Sequence, residues 1–164
     1  MLNLKLNKFF FHIILEKPSY FYNISSIFRL SVGLHFALHI VGLFSFFSLK
    51  TQHLKPSLDY FENCNVFFYD NLLECLNLIN IKNIFILEPG KEISTTVLSI
   101  PKNSGFIFGS EKKSVNFKVL NIYKIFISIP FYNNIRSYNL SHSISILSSF
   151  LLKNLFITFL CLFV

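Results

Sequence analysis

The chain has no tryptophan, no Cys-x-x-Cys pair and none of the glycine fingerprints that cradle phosphates or dinucleotides. Lacking Gly-x-Ser-x-Gly, a P-loop and the Rossmann glycine pattern, it gives no sequence support to the enzyme classes those motifs mark. Cys64, Cys75 and Cys161 are an odd count without a secretory leader, which predicts reduced, buried thiols in a cytoplasmic protein. Met1 to Phe11 interleaves lysines with apolar residues and has no small-residue cleavage site, so it reads as a first strand rather than a signal peptide. Acidic residues are also scarce: 8 against 15 Lys plus Arg, for a formal charge of +7. That excess favours a polyanionic partner through phosphate contacts.

At 164 residues, 52% of them apolar, the chain suits one domain with an ample core. Twenty-two Phe beside many Ile, Asn and Lys point to codons rich in A and T. A single Phe or Asn is therefore a poor functional signal.

Apolar runs of strand length alternate with helical segments. Phe9 to Leu15 reads as a strand, Ile24 to Gly33 as a helix and His35 to Val41 as a second strand. Val66 to Tyr69 is a short strand, Asp70 is placed to cap a helix through Leu78, and Asn83 to Leu87 is a further strand ending at Glu88-Pro89-Gly90. Gly105 to Phe108, a helix over Lys112 to Leu120, and a strand from Tyr123 to Ile129 complete the pattern before a terminal helix. Alternating elements predict an α/β fold with a mainly parallel sheet covered by helices on both faces. The strand order does not follow from this pattern.

Ile144 to Val164 is a 21-residue apolar run, long enough to span a bilayer. Lys153 near its middle, with Ser145, Ser148 and Ser149, argues instead for a helix buried on the sheet or between subunits. Residues 1–153 are accordingly assigned to the domain and 154–164 to an apolar extension of the last helix. No stable membrane association is expected.

Ser128 to Ile146 is a polar loop between two apolar segments. Pro130 stops the preceding strand, and Asn139 or Ser141 can cap the helix whose apolar positions resume at Ile144 and Leu147. Arg136, Ser137 and Asn139 thus fall at a strand-to-helix junction, where open α/β sheets bind ligands.

This segment resembles the third motif of the SPOUT class of RNA methyltransferases, whose 2'-O-ribose branch carries Ile-Pro, a short variable loop and Ser-(Leu/Met)-Asn-(Leu/Val)-Ser. Here it stands as Ile129-Pro130 and Ser137-Tyr138-Asn139-Leu140-Ser141. Phe108-Gly109-Ser110-Glu111 looks like the second motif and Asn23-Ile24-Ser25-Ser26-Ile27-Phe28-Arg29 like the first, in the right order. Leu38-His39-Ile40-Val41 and Leu58-Asp59-Tyr60 resemble the small single-domain subfamily that methylates the wobble ribose of tRNA. The match covers roughly residues 8 to 153. It departs from the pattern at Ser25-Ser26, where the first motif has Gly-Asn, at Ser114, where a glycine follows the second motif, and at Ser149-Phe150, where the last helix has Tyr-Glu.

The resemblance implies a C-terminal trefoil knot, S-adenosyl-L-methionine as methyl donor, no metal, tRNA as partner and a homodimer in which the last helix and the first-motif helix pack across subunits. It also implies a cofactor pocket lined by Leu87, Gly109, Ile129 and Ser137, with Glu111 holding its loop. Arg29, Ser137 and Asn139 are the implied catalytic set, and Asn23, Arg29, Lys55 and Arg136 the RNA-binding set. Plainer readings stand beside these: Gly109 as a turn glycine, Arg29 and Arg136 as solvated charges, Asn139 as a helix cap. His35 and His39 have the spacing of a helical metal pair, but they fall in a strand segment with no third ligand nearby, so no metal site is expected. Two rival functions remain open, a catalytically weakened RNA-binding protein of the same fold and a small membrane-anchored protein.

Overall fold

The structure, a computed structural model, describes residues 9–42, 60, 63–79, 81–90, 100–115, 125–130 and 133–161, with 154–161 by their backbone alone. Six strands, β1 (Phe11–Glu16), β2 (Ala37–Val41), β3 (Val66–Tyr69), β4 (Ile84–Leu87), β5 (Ser104–Phe108) and β6 (Ile125–Ile127), form one sheet in the order β3-β2-β1-β5-β4-β6. Every pairing is parallel. Parallel neighbours need crossovers that cover the sheet, which is why these strands are unbroken apolar runs instead of alternations.

Three helices cover the sheet among the described residues: α1 (Phe21–Leu34), α2 (Leu72–Ile79) and α3 (Leu140–Cys161). One core gathers Ile13 and Leu15 of β1, Leu38 and Ile40 of β2 and Phe106 of β5 under Ile24, Ile27 and Phe28 of α1 and Ile144, Leu147 and Leu151 of α3. The other gathers Ile14, Ala37, Val41, Ile86 and Ile107 under Leu72, Cys75 and Ile79 of α2. Strand side chains alternate between these two cores, so each face is sealed by its own helices.

Local chemistry corrects several expected boundaries. Helix α1 starts at Phe21, three residues before Ile24, directly after the extended Tyr20, so Asn23 lies inside its first turn. It ends at Leu34 with His35 in the left-handed region (φ 51, ψ 50), which takes His35 out of the strand with which it was grouped. Helix α2 is capped by Asn71, not Asp70: Asn71 Oδ1 accepts the Glu74 N–H at 2.9 Å, and Glu74 Oε2 accepts the Asp70 N–H at 2.9 Å. This reciprocal arrangement resembles a capping box shifted by one residue. Residues 111–115 form a turn closed by the Ser110–Lys113 bridge where a helix was expected, because Ser110 Oγ accepts the Lys113 N–H at 3.0 Å. The remainder of that segment, 116–120, lies outside the described residues. So do 91–99 and 121–124, on whose path the implied knot depends.

Candidate active site

Because all six strands run the same way, their carboxyl ends share one edge of the sheet. β1 sits where the order divides, with β2 and β3 on one side and β5, β4 and β6 on the other. Such a division leaves room for a ligand above the strand ends. Here it holds a cavity of about 500 Å³, lined by 87–89 after β4, 108–114 after β5, Ile129 after β6, 137–140 and Ser143 around the start of α3, and Tyr20 and Asn23 around the start of α1. That volume suits a ligand of cofactor size.

A chain of side-chain hydrogen bonds ties the three loops together. Glu111 Oε2 accepts the backbone N–H of Ser19 at 2.7 Å, and Oε1 accepts Asn23 Nδ2 at 2.6 Å. Asn23 Oδ1 in turn accepts Asn139 Nδ2 at 2.9 Å. Asn139 Oδ1 then receives the N–H of Ser141 at 2.9 Å and its hydroxyl at 2.7 Å, which caps α3. Segments 116 residues apart in sequence thus meet in one buried amide, Asn23, whose nitrogen and oxygen each make a hydrogen bond. The two bonds that end on the Glu111 carboxylate are charge-assisted and stronger than the neutral ones in the rest of the chain.

Gly109 permits a close approach of the chain to itself. A Cβ there would meet Lys113 O at 2.7 Å and Val115 N at 2.9 Å. Both are backbone atoms, so the 110–115 turn folds over Gly109 only because no side chain is present.

Leu87, Gly109, Glu111, Ile129, Ser137 and Asn139 all lie on the cavity wall, as does Asn23. Arg29 and Arg136 do not; both are exposed. Arg29 lies 4.8 Å over the centroid of the Tyr60 ring, within cation–π range. Lys55 lies outside the described residues.

Sequence reasoning left three features unassigned. Tyr20 is half exposed at the cavity and has the Lys112 ammonium 5.7 Å over its ring. Glu88 also lines the cavity, and its Oε1 is buried with no hydrogen-bond partner among the described residues. The signals in sequence were its place in the Leu87 to Gly90 loop, which follows a strand, and a carboxylate next to the end of an apolar run. Away from the cavity, on the α2 face, His12 and His39 are fully buried and bonded Nδ1 to Nε2 at 3.0 Å. Asn103 Oδ1 accepts His12 Nε2–H at 2.8 Å, so His12 Nδ1 accepts from His39, and His39 Nδ1 accepts the Tyr69 hydroxyl at 3.0 Å. Both rings are neutral in this chain. Burial lowers the pKa of His12 against the raising effect of Asn103; burial, followed by the repulsion of His12, holds His39 well below its ordinary value. The histidine that pairs with His39 is therefore His12, from the adjacent strand, and not His35. Among the described residues no group of three His, Cys, Asp or Glu is placed to hold a metal.

These features define the class: an open α/β protein with a cavity of cofactor size at the carboxyl edge of a parallel sheet, with strand and helix ends laced together around it. The chain belongs to the SpoU rRNA Methylase family, whose model matches residues 11–149, and is on that ground an RNA methyltransferase. The resemblance to the SPOUT class is borne out. A relative from Methylovorus glucosotrophus (strain SIP3-4), a tRNA (cytidine(34)-2'-O)-methyltransferase, is 27% identical over 140 residues, covering 84% of this chain and 90% of its own. A solved structure described as giving insights into the 2-OH methylation of C/U34 on tRNA superposes with a TM-score of 0.78 at 21% identity, over 88% of this chain and 95% of that one. An AdoMet-bound rRNA methyltransferase from Sinorhizobium meliloti shares the fold with a TM-score of 0.73 at 12% identity, over 88% of this chain and 56% of that one. Among the described residues no helix is long and apolar enough to cross a membrane.

Proposed function

We propose that this chain transfers a methyl group from S-adenosylmethionine to the 2'-hydroxyl of a tRNA ribose, at the wobble nucleotide. The observation that carries this reading is the Glu111–Asn23–Asn139 chain, which draws all three motif loops around one cavity of cofactor size. The pocket suits such a cofactor: Leu87, Ile129 and Leu140 offer apolar walls for a flat base, and the partnerless Glu88 oxygen offers an acceptor for its polar groups. When bound, S-adenosylmethionine would be held between Leu87, Ile129 and Leu140 and would supply an electrophilic methyl on a sulfonium, with solvent water as the acceptor of the ribose hydroxyl proton.

The protein's contribution is alignment. Glu111 holds the turn of the second motif against Ser19 and Asn23, Asn139 fixes the start of α3, and Gly109 lets the 110–115 turn close. Ser137 stands exposed on the cavity wall between Arg136 and the cap of α3, where an incoming ribose can be met. Arg29, Arg136, Lys112 and Lys113 are exposed cations suited to the tRNA backbone, and Lys55 belongs with them by sequence. The family resemblance gives Arg29, which lies off the cavity wall, the role of orienting a tRNA phosphate so that the ribose hydroxyl is presented to the site.

The same reading makes the protein a cytoplasmic homodimer. Tyr22 on α1 is 84% exposed and Ile146 on α3 is 40% exposed, apolar surface that a second copy would cover. Residues 1–153 then form the catalytic domain, and 154–164 are its apolar C-terminal extension. Transfer of radiolabelled methyl to unmodified tRNA, followed by nucleoside analysis, tests the reaction. A 2'-O-methylated nucleotide at position 34 is the expected product. No label from folded protein beside an active control enzyme would leave the weakened RNA-binding reading in its place.

A further inference from the structure

We propose that the Glu88 carboxylate is the acceptor for the ribose hydroxyls of the methyl donor, and so a specificity-determining residue of the cofactor pocket; this rests on the methyltransferase reading above. Glu88 lines the cavity, and its Oε1 is buried with no hydrogen-bond partner among the described residues. A buried carboxylate oxygen left unpaired is costly, so native proteins keep one mainly where something else completes it. The backbone does not let this one swing away easily. The Glu88 N–H is bonded to Ile127 O at 3.1 Å, continuing the β4–β6 ladder, and Pro89 follows with its fixed φ.

The second carboxylate of the cavity is already engaged: Glu111 receives the Ser19 N–H and the Asn23 amide, one on each oxygen. Glu88 is the carboxylate of the wall with an oxygen that has no partner among the described residues. Its neighbour Leu87 belongs to the apolar wall that suits adenine, so the carboxylate stands one residue from the base site. The group joined directly to adenine is the ribose, whose two vicinal hydroxyls match the two oxygens of a carboxylate. The amino-acid end of the donor lies on the far side of the sulfonium from that sugar, and the exposed Lys112 and Lys113 of the wall offer its carboxylate a cation.

The test is calorimetric titration of the purified full chain with S-adenosylhomocysteine and with its 2'-deoxy, 3'-deoxy and des-amino analogues, using wild type and Glu88→Gln. Wild type is expected to bind at least one deoxy analogue about tenfold or more weakly than the parent, the usual worth of a hydrogen bond to a charged group. Glu88→Gln should lose about as much for the parent and should discriminate little among the sugars. Equal wild-type affinity for parent and both deoxy analogues overturns the proposal, and needs no variant that folds. So does a Glu88→Gln protein, folded by its thermal transition, that binds and discriminates as wild type does. Collapse of discrimination against the des-amino analogue alone would move Glu88 to the amino-acid end and refute the ribose assignment. Wild type that binds no S-adenosylhomocysteine at all would instead refute the cofactor reading on which the inference stands.

Discussion

Removing the Asn23 side chain tests whether the three motif loops are held together by one amide. Asn23→Ala deletes a hydrogen bond to a carboxylate and a neutral one to Asn139. Hydrogen bonds of those kinds contribute about 1.5–3 and 0.5–1.5 kcal/mol, giving a span of about 2–4 kcal/mol. Asn23 is 6% exposed, but Glu111 and Asn139 are more open, so water recovers part of what they lose. The expected loss is therefore near the low end, about 2 kcal/mol, which in urea moves the midpoint by about 1 M at an m-value of about 2 kcal/mol/M. Equilibrium unfolding of Asn23→Ala, Asn139→Ala and the double variant measures it. The double variant should cost less than the sum of the singles, because both remove the same bond. A cost below about 0.5 kcal/mol for Asn23→Ala, or strict additivity, would refute the reasoning. Asn23→Asp sharpens the test. It sets a carboxylate against Glu111 where the amide sits 2.6 Å away, so it should be worse than Ala at pH 7.5 and improve as the pH falls and the pair shares a proton.

Other outcomes follow from the same structure. Gly109→Ala forces a Cβ to within 2.7 Å of a backbone oxygen, so the 110–115 turn must move; unfolding should show a loss of about 1–3 kcal/mol and calorimetry weaker S-adenosylhomocysteine binding. Ser114→Gly, which restores the motif residue, should change that binding less than about threefold, because Ser114 is exposed and is not among the residues with positive φ. The buried His12–His39 pair predicts an acid-sensitive fold. Both pKa values are lowered on folding, so the unfolded chain binds more protons, stability is fully present above the unfolded value of 6.5 and is lost as pH falls below it. The slope approaches about 1 kcal/mol per pH unit per histidine, and denaturation between pH 8 and 5 should find it reduced in His39→Phe.

The alternation of elements and the parallel sheet were legible because both rest on local patterning. Strands β3, β4 and β5 were found within one residue, since each is a short apolar run with polar ends. Helix starts were less legible: Asn71 and not Asp70 caps α2, and two adjacent residues with similar caps cannot be separated without their partners. The turn at 111–115 was missed because a run of Glu, Lys and Lys has helical propensity, while the Ser110 hydroxyl, which closes the turn, looks like any serine.

For the site, the sequence by itself determined a parallel α/β sheet and the order of three motif loops, because strand ends and motif spacings are local; seven residues singled out from the sequence lie on the cavity wall. Tertiary structure alone decided how those residues are used. Asn23 spends its amide nitrogen on Glu111 and its amide oxygen on Asn139, which arrive from 88 and 116 residues away. Arg29 turns to Tyr60, His39 bonds to His12 of the adjacent strand, and Glu88, on the cavity wall, is left with a buried oxygen without a partner among the described residues. A hydrogen bond is a property of two groups in space, so what each donor and acceptor does was settled only when the sheet brought distant segments together.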